Sequence, residues 1–158
     1  MAIQKCVVAV PARLQSSRLP NKVLADIGGK PMIQRVLERC RESTAVDTVV
    51  LCTDSQELQQ RASAWGFPVL MTAESCSSGS DRIASVADAL MALAWGDTTP
   101  AAEQTAVINV QGDQPFIDPH VIDAMASEFH RLDRVPAVVT PVYGLQPETV
   151  HNLSLIHI

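Results

Sequence analysis

The sequence has no excess of positive charge: its 158 residues carry 12 Lys and Arg against 17 Asp and Glu, a net charge of −5. A nucleic-acid-binding face is thereby disfavoured, because grip on a phosphate backbone needs a basic surface. No apolar run approaches the length that spans a bilayer. The opening MAIQKCVVAVPAR has one lysine, a short apolar run, then proline and arginine, and reads as a buried strand rather than a signal peptide. Cys6, Cys40, Cys52 and Cys76 contain no C-x-x-C pair, so nothing indicates zinc or dithiol chemistry. Isolated thiols in apolar patterns act as small hydrophobes, and a reducing cytoplasm is the expected setting. Neither GxGxxG nor GxxxxGK[ST] occurs, which argues against a dinucleotide-binding oxidoreductase and against a glycine cradle for phosphate. Internal repeats and low-complexity stretches are also missing.

What is present is an alternation. Residues 6–10, 48–52, 69–71, 106–110 and 137–140 are short, β-branched-rich runs, mostly apolar on both faces, as in strands of a parallel sheet covered by helices. Between them lie helix-period segments. Pro31 stands as a first helical residue ahead of a stripe of Met32, Ile33, Val36, Leu37 and Cys40. Asp54, with Glu57 three residues on, is placed to cap a second helix that turns Leu58, Ala62 and Trp65 inward. Ile83, Ala87, Leu90 and Ala94 form a third stripe. Asp118-Pro119 opens a fourth helix, with Ile122, Met125, Phe129 and Leu132 in register. Residues 96–104 read as a surface connection. The pattern predicts one doubly wound α/β sheet, and 158 residues at 47% hydrophobic suit a single core better than two.

Ligands of such sheets bind beyond the carboxyl ends of the strands, and the strand ends here are polar. Directly after the first strand, PARLQSSRLPNK places Arg13, Ser16, Ser17, Arg18 and Lys22 in one loop. Arginine forks and a lysine ammonium suit a triphosphate; the alternative is a solvated loop with scattered charges. After the fourth strand, Gln111, Gly112 and Asp113 precede Pro115. Asp113 suits Mg²⁺, which takes one or two carboxylates together with substrate phosphates, and Gly112 would let the backbone approach a ligand; a turn aspartate is the competing reading. In SSGSDR, residues 77–82, Ser80 is a candidate N-cap with Asp81 in the first turn. Arg82 is either an ion-pair partner or a ligand contact.

Taken in order, PARLQSSRLPNKVLADIGGKPMI, Thr53-Asp54, SGSDR and NVQGDQP resemble the CMP-KDO synthetases, the 3-deoxy-manno-octulosonate cytidylyltransferases. The likeness runs from about Cys6 to Tyr143. CMP-sialate synthetases share the opening loop in looser form; SGSDR with NVQGDQP favours the KDO enzymes. The resemblance implies a Rossmann-like nucleotidyltransferase fold of the nucleotide-diphospho-sugar transferase type, a mostly parallel sheet with helices on both faces. It also implies a homodimer, CTP and KDO (3-deoxy-D-manno-octulosonate) as substrates, Mg²⁺ as cofactor and a place in lipopolysaccharide biosynthesis. By position, Arg13, Ser17, Arg18 and Lys22 fall in the triphosphate loop and Pro11 and Ala12 where the backbone meets cytosine. Arg82 lies near the nucleotide, Gln111 matches a sugar-contacting residue and Asp113 a magnesium ligand.

The implied reaction transfers CMP from CTP to KDO, with Arg13, Arg18, Lys22 and Asp113 as the catalytic set and no side chain singled out as a base. The family continues further and supplies a second metal-binding aspartate. Here the pattern fades after Pro147, so residues 1–147 are expected to form an incomplete nucleotide-binding domain and 148–158 an unrelated tail. Two other readings stand beside this one: a cytidylyltransferase for sialate or an aminated KDO, and a CTP-binding fragment without activity.

Overall fold

The computed structural model describes residues 4–16, 18–99 and 101–131. Ser17, Leu132, the strand expected over 137–140 and the tail 148–158 lie outside them. Four strands form one parallel sheet: β1 (Lys5–Ala12), β2 (Thr48–Thr53), β3 (Val69–Met71) and β4 (Thr105–Asn109), in the spatial order β3-β2-β1-β4. The crossovers carry α1 (Met32–Arg41), α2 (Gln56–Ala64) and the pair α3 (Gly79–Ala84) and α4 (Ala87–Trp95), and α5 (Pro119–Arg131) follows β4.

The period-2 alternation of a strand sends successive side chains to opposite faces, and β1 is apolar on both. Cys6, Val8, Val10 and Ala12 enter a core with Ile33, Val36, Leu37, Leu58, Ala62, Ile122 and Phe129 of α1, α2 and α5. Val7 and Ala9 face the other way, with Val50 and Cys52 of β2, onto Ile83, Leu90 and Ala94. This is the helix-covered parallel sheet that the runs of apolar residues predict. On β4 the expectation holds for one face. Ala106 and Ile108 are buried, but Val107 and Asn109 are exposed among the described residues, since β4 is the edge of this four-stranded sheet.

The element boundaries correct several local expectations. β1 runs two residues further than predicted, through Pro11, which pairs with Cys52. Proline is tolerated because the β1–β4 ladder ends at Ala9–Asn109, so no partner waits for the missing N–H. Pro31 is the N-cap of α1 rather than its first helical residue. Ser55, not Asp54, caps α2, its hydroxyl accepting from the Leu58 N–H. The third helical stripe is broken at Ser85–Val86 into α3 and α4, and Ala87 is exposed at the start of the second piece.

α5 is tied to the α1–β2 connection by Asp123. Its carboxylate accepts from Ser43 Oγ at 2.6 Å and from the N–H groups of Thr44 and Ala45 at 3.0 and 3.1 Å. These bonds, that from Ser43 above all, hold its pKa below the usual aspartate range. A depressed carboxyl stabilises the fold above the unfolded value of about 3.9 and loses that contribution as pH falls below it. Asp123→Ala is expected to cost about 1–3 kcal/mol at pH 7. Urea unfolding at pH 7 and pH 3 checks this, the gap between variant and wild type narrowing at the lower pH.

Candidate functional site

The chain runs outward from β1 to β2 and β3, then returns to place β4 on the other side of β1. The loops after β1 and β4 therefore lie side by side at the carboxyl edge, and the start of α3 faces them from the other side of the sheet. A cleft of about 640 Å³ lies there. Pro11, Ala12, Arg13, Arg18, Lys22, Arg82, Gln111 and Asp113 all line it. Ser17 is outside the described residues, although its neighbours Ser16 and Arg18 border the same space.

The floor is close-packed main chain. A Cβ on Gly112 would stand 3.0 Å from the Pro11 carbonyl oxygen, 3.1 Å from Ala12 Cβ and 3.2 Å from Ile33 Cδ1. Gly112 thus lets the end of β4 approach the end of β1, where the sequence had suggested approach to a ligand.

One side of the cleft is the basic loop. It closes through Asn21 N–H to the Leu14 carbonyl at 3.2 Å, with Asn21 in the left-handed region that asparagine tolerates. A single 3₁₀ turn, Lys22–Leu24, follows, and buried Val23 anchors it. Arg13 and Arg18 are exposed and have no ion pair or side-chain hydrogen bond among the described residues. Lys22 instead donates to Asp113 Oδ2 at 2.7 Å, linking the two loops across the cleft. Both partners are partly exposed, at 40% and 45%, so the contact is worth at most about 1 kcal/mol and is readily exchanged.

The other side is the start of α3. Ser78 rather than Ser80 is the N-cap, accepting from the Asp81 N–H at 3.0 Å. Ser77 Oγ donates to the Asp81 carboxylate, and this bond first, then that from Ser78, lowers the Asp81 pKa. Behind them Arg82, 3% exposed, is committed as an ion pair. Its Nη2 lies 3.0 Å from Asp54 Oδ2, and its Nη1 donates to Thr72 Oγ1 and to the Ala73 carbonyl at 3.4 Å. Between the two sides, Gln111 Nε2 donates to Asn109 Oδ1 at 2.8 Å.

Sequence reasoning missed both long-range pairs. By sequence Asp54 reads as a helix cap and Arg82 as either an ion-pair partner or a ligand contact; their shared position at one sheet edge is the available signal. Cys76 and Gly79 also line the cleft, a place that sequence pattern does not mark. Burial pushes the thiol pKa of Cys40 up to about 12 and those of Cys6 and Cys52 to about 11, that of Cys6 with help from Asp47. Cys76 is the one cysteine that is not fully buried. Alkylation with iodoacetamide under native conditions is therefore expected to mark Cys76 first, as read by peptide mass spectrometry.

No group of three or more His, Cys, Asp or Glu suited to a metal exists among the described residues. Asp113 is the one carboxylate among the described cleft-lining residues. A lone carboxylate facing a cationic loop fits magnesium, which completes its shell with ligand oxygens and water, and does not fit a structural zinc.

Comparison with known proteins agrees with the fold. The family described as Cytidylyltransferase matches residues 7–155. A 3-deoxy-manno-octulosonate cytidylyltransferase of Idiomarina loihiensis is 38% identical over 151 residues, covering 96% of this chain and 56% of its own. One from Chloroherpeton thalassium is 35% identical over 156 residues, covering 98% and 58%. The solved structure of CMP:2-keto-3-deoxy-manno-octonic acid synthetase complexed with CTP superposes with a TM-score of 0.69 at 37% identity, covering 79% of this chain and 47% of that one. The chain thus spans a little over half the length of the two curated relatives.

Proposed function

This chain belongs to the cytidylyltransferase family, and from that premise we propose that it forms the nucleotide-binding part of a KDO cytidylyltransferase. The whole protein transfers CMP from CTP to KDO, as a homodimer in the cytoplasm, for lipopolysaccharide synthesis. One observation carries the reading: one cleft at the carboxyl edge of the sheet is lined by Arg13 and Arg18, unpaired among the described residues, together with Asp113 and Gln111.

The anomeric hydroxyl of the sugar attacks the α-phosphorus of CTP. A new P–O bond forms, the α–β phosphoanhydride breaks, pyrophosphate leaves and the hydroxyl proton passes to solvent. Such a step is governed by positioning and charge stabilisation. Arg18 and Lys22 hold the departing pyrophosphate, and Arg13 reaches toward the α-phosphate. Pro11 and Ala12 present main chain to the base, and Gln111 orients a sugar hydroxyl. Asp113 would hold magnesium, which would supply positive charge at the phosphoryl oxygens. For that, Asp113 must release Lys22, which then turns to phosphate.

Calorimetric titration with CTP, UTP, ATP and GTP, with and without Mg²⁺, tests the reading, alongside pyrophosphate release with KDO or sialate. Preferred binding of CTP and release with KDO are expected. Equal binding of all four nucleotides, or release with sialate instead, overturns it.

A further inference from the structure

Arg82 differs from the other cleft-lining arginines in what surrounds it. Arg13 and Arg18 are exposed and unpaired among the described residues, whereas Arg82 is 3% exposed and faces Asp54, itself 15% exposed. Its partners come from separate strand ends: Asp54 follows β2, and Thr72 and Ala73 follow β3. The hydrogen bonds of Arg82 run from Nη1 and Nη2 to Asp54, Thr72 and Ala73, and none of its nitrogen atoms is buried without a partner. The exposed cations of the cleft are those of the loop 13–22.

The segment that Arg82 anchors has no slack. A Cβ on Gly79 would stand 2.9 Å from Pro11 Cγ and 3.2 Å from Gln111 Oε1. The hydroxyls of Ser77 and Ser78 are engaged with Asp81. The wall formed by Cys76, Ser77, Ser78 and Gly79 is thus seated against the end of β1 on one side. Arg82, one turn into α3, ties it to β2 and β3 on the other. Removing one member of a buried ion pair leaves an uncompensated charge, and the segment it held shifts.

We propose that Asp54 and Arg82 are a positioning pair for the nucleoside end of the bound nucleotide. Arg82 sets the distance between the α3 wall and Pro11, and it makes no contact with phosphate. The inference rests on the reading of the cleft as a nucleoside triphosphate site. It adds a role for Asp54, which does not line the cleft, and gives Arg82 an indirect one.

The test separates the two ends of the ligand. Dissociation constants for CTP and for inorganic tripolyphosphate are measured over a range of salt concentrations, on wild type, Asp54→Asn and Thr72→Val, with thermal melting as a control for folding. For Asp54→Asn the CTP constant is expected to rise about tenfold, and the tripolyphosphate constant to stay within about twofold with an unchanged salt dependence. Thr72→Val removes one hydrogen bond without stranding a charge, and should weaken CTP alone by about threefold. It decides the matter if Asp54→Asn does not fold. If both ligands weaken together and the salt dependence flattens, Arg82 is a phosphate ligand and the proposal is wrong. Folded variants that bind CTP as wild type does overturn it too, leaving the pair a fold contact. A wild-type chain that binds neither probe overturns the triphosphate reading itself, and the pair's role with it.

Discussion

Asp113→Asn is expected to lower Mg²⁺-dependent CMP transfer by the whole protein by about a hundredfold or more, while metal-free CTP affinity stays within about threefold. The amide keeps the size of the side chain and one acceptor oxygen, but loses the charge that holds a hard divalent cation. Ground-state nucleotide contacts survive because Arg13 and Arg18 are independent of Asp113; neither pairs with it. Lys22, which Asp113 holds at 2.7 Å, is set free for phosphate, so metal-free affinity should not fall. The transition state depends on the metal more heavily, as charge builds on the phosphoryl oxygens. The loss therefore appears chiefly in kcat, and raised Mg²⁺ or added Mn²⁺ recovers part of it. Turnover against metal concentration, run beside CTP titrations in a chelator, makes the comparison. Normal turnover of the variant at low Mg²⁺ would show that Asp113 is a turn residue that merely pairs with Lys22.

Arg18→Ala should act on the other quantity. Loss of a charge-assisted, bidentate phosphate contact costs on the order of 1.5–3 kcal/mol, or about 10- to 150-fold in CTP affinity. Stability should change by less than about 0.5 kcal/mol, because Arg18 is exposed and makes no hydrogen bond to the described fold. The remaining affinity should also vary less with salt, since one phosphate-facing charge is gone. Calorimetry at several ionic strengths, with a melting curve as control, reads all three. Unchanged CTP affinity at low salt would remove the basic loop from the site.

Much of this architecture was legible in the residues. The runs at Val7–Val10 and Val49–Cys52 are apolar on both faces, so only a doubly covered parallel sheet could house them. The loop after β1 and the Gln111–Asp113 turn were identified as ligand-facing from their place at strand ends, and the structure puts both on one cleft. What escaped were choices between near-equivalent neighbours. Ser55 competes with Asp54, and Ser78 with Ser80, for one cap position, and all four are good capping residues. Tertiary pairing decides such contests: Asp54 turns to Arg82, 28 residues on, and leaves the cap to Ser55. The break between α3 and α4 left no helix-breaking residue as a mark, because Ser85 and Val86 are both compatible with a helix.

The order of the strands also bears on how the protein comes apart. β1 pairs with β2 after one crossover, but its seam with β4 joins segments that the whole of β2, β3 and four α-helices separate. Lys22 and Asp113, which face each other over that seam, are 91 residues apart in the chain. Loop closure makes such distant pairings entropically costly, so they form late. A ligand bridging the loops after β1 and β4 holds contacts that are absent when the folding barrier is crossed. Bound nucleotide should therefore slow unfolding and leave the refolding rate nearly unchanged, prolonging the life of the folded chain without hastening its birth.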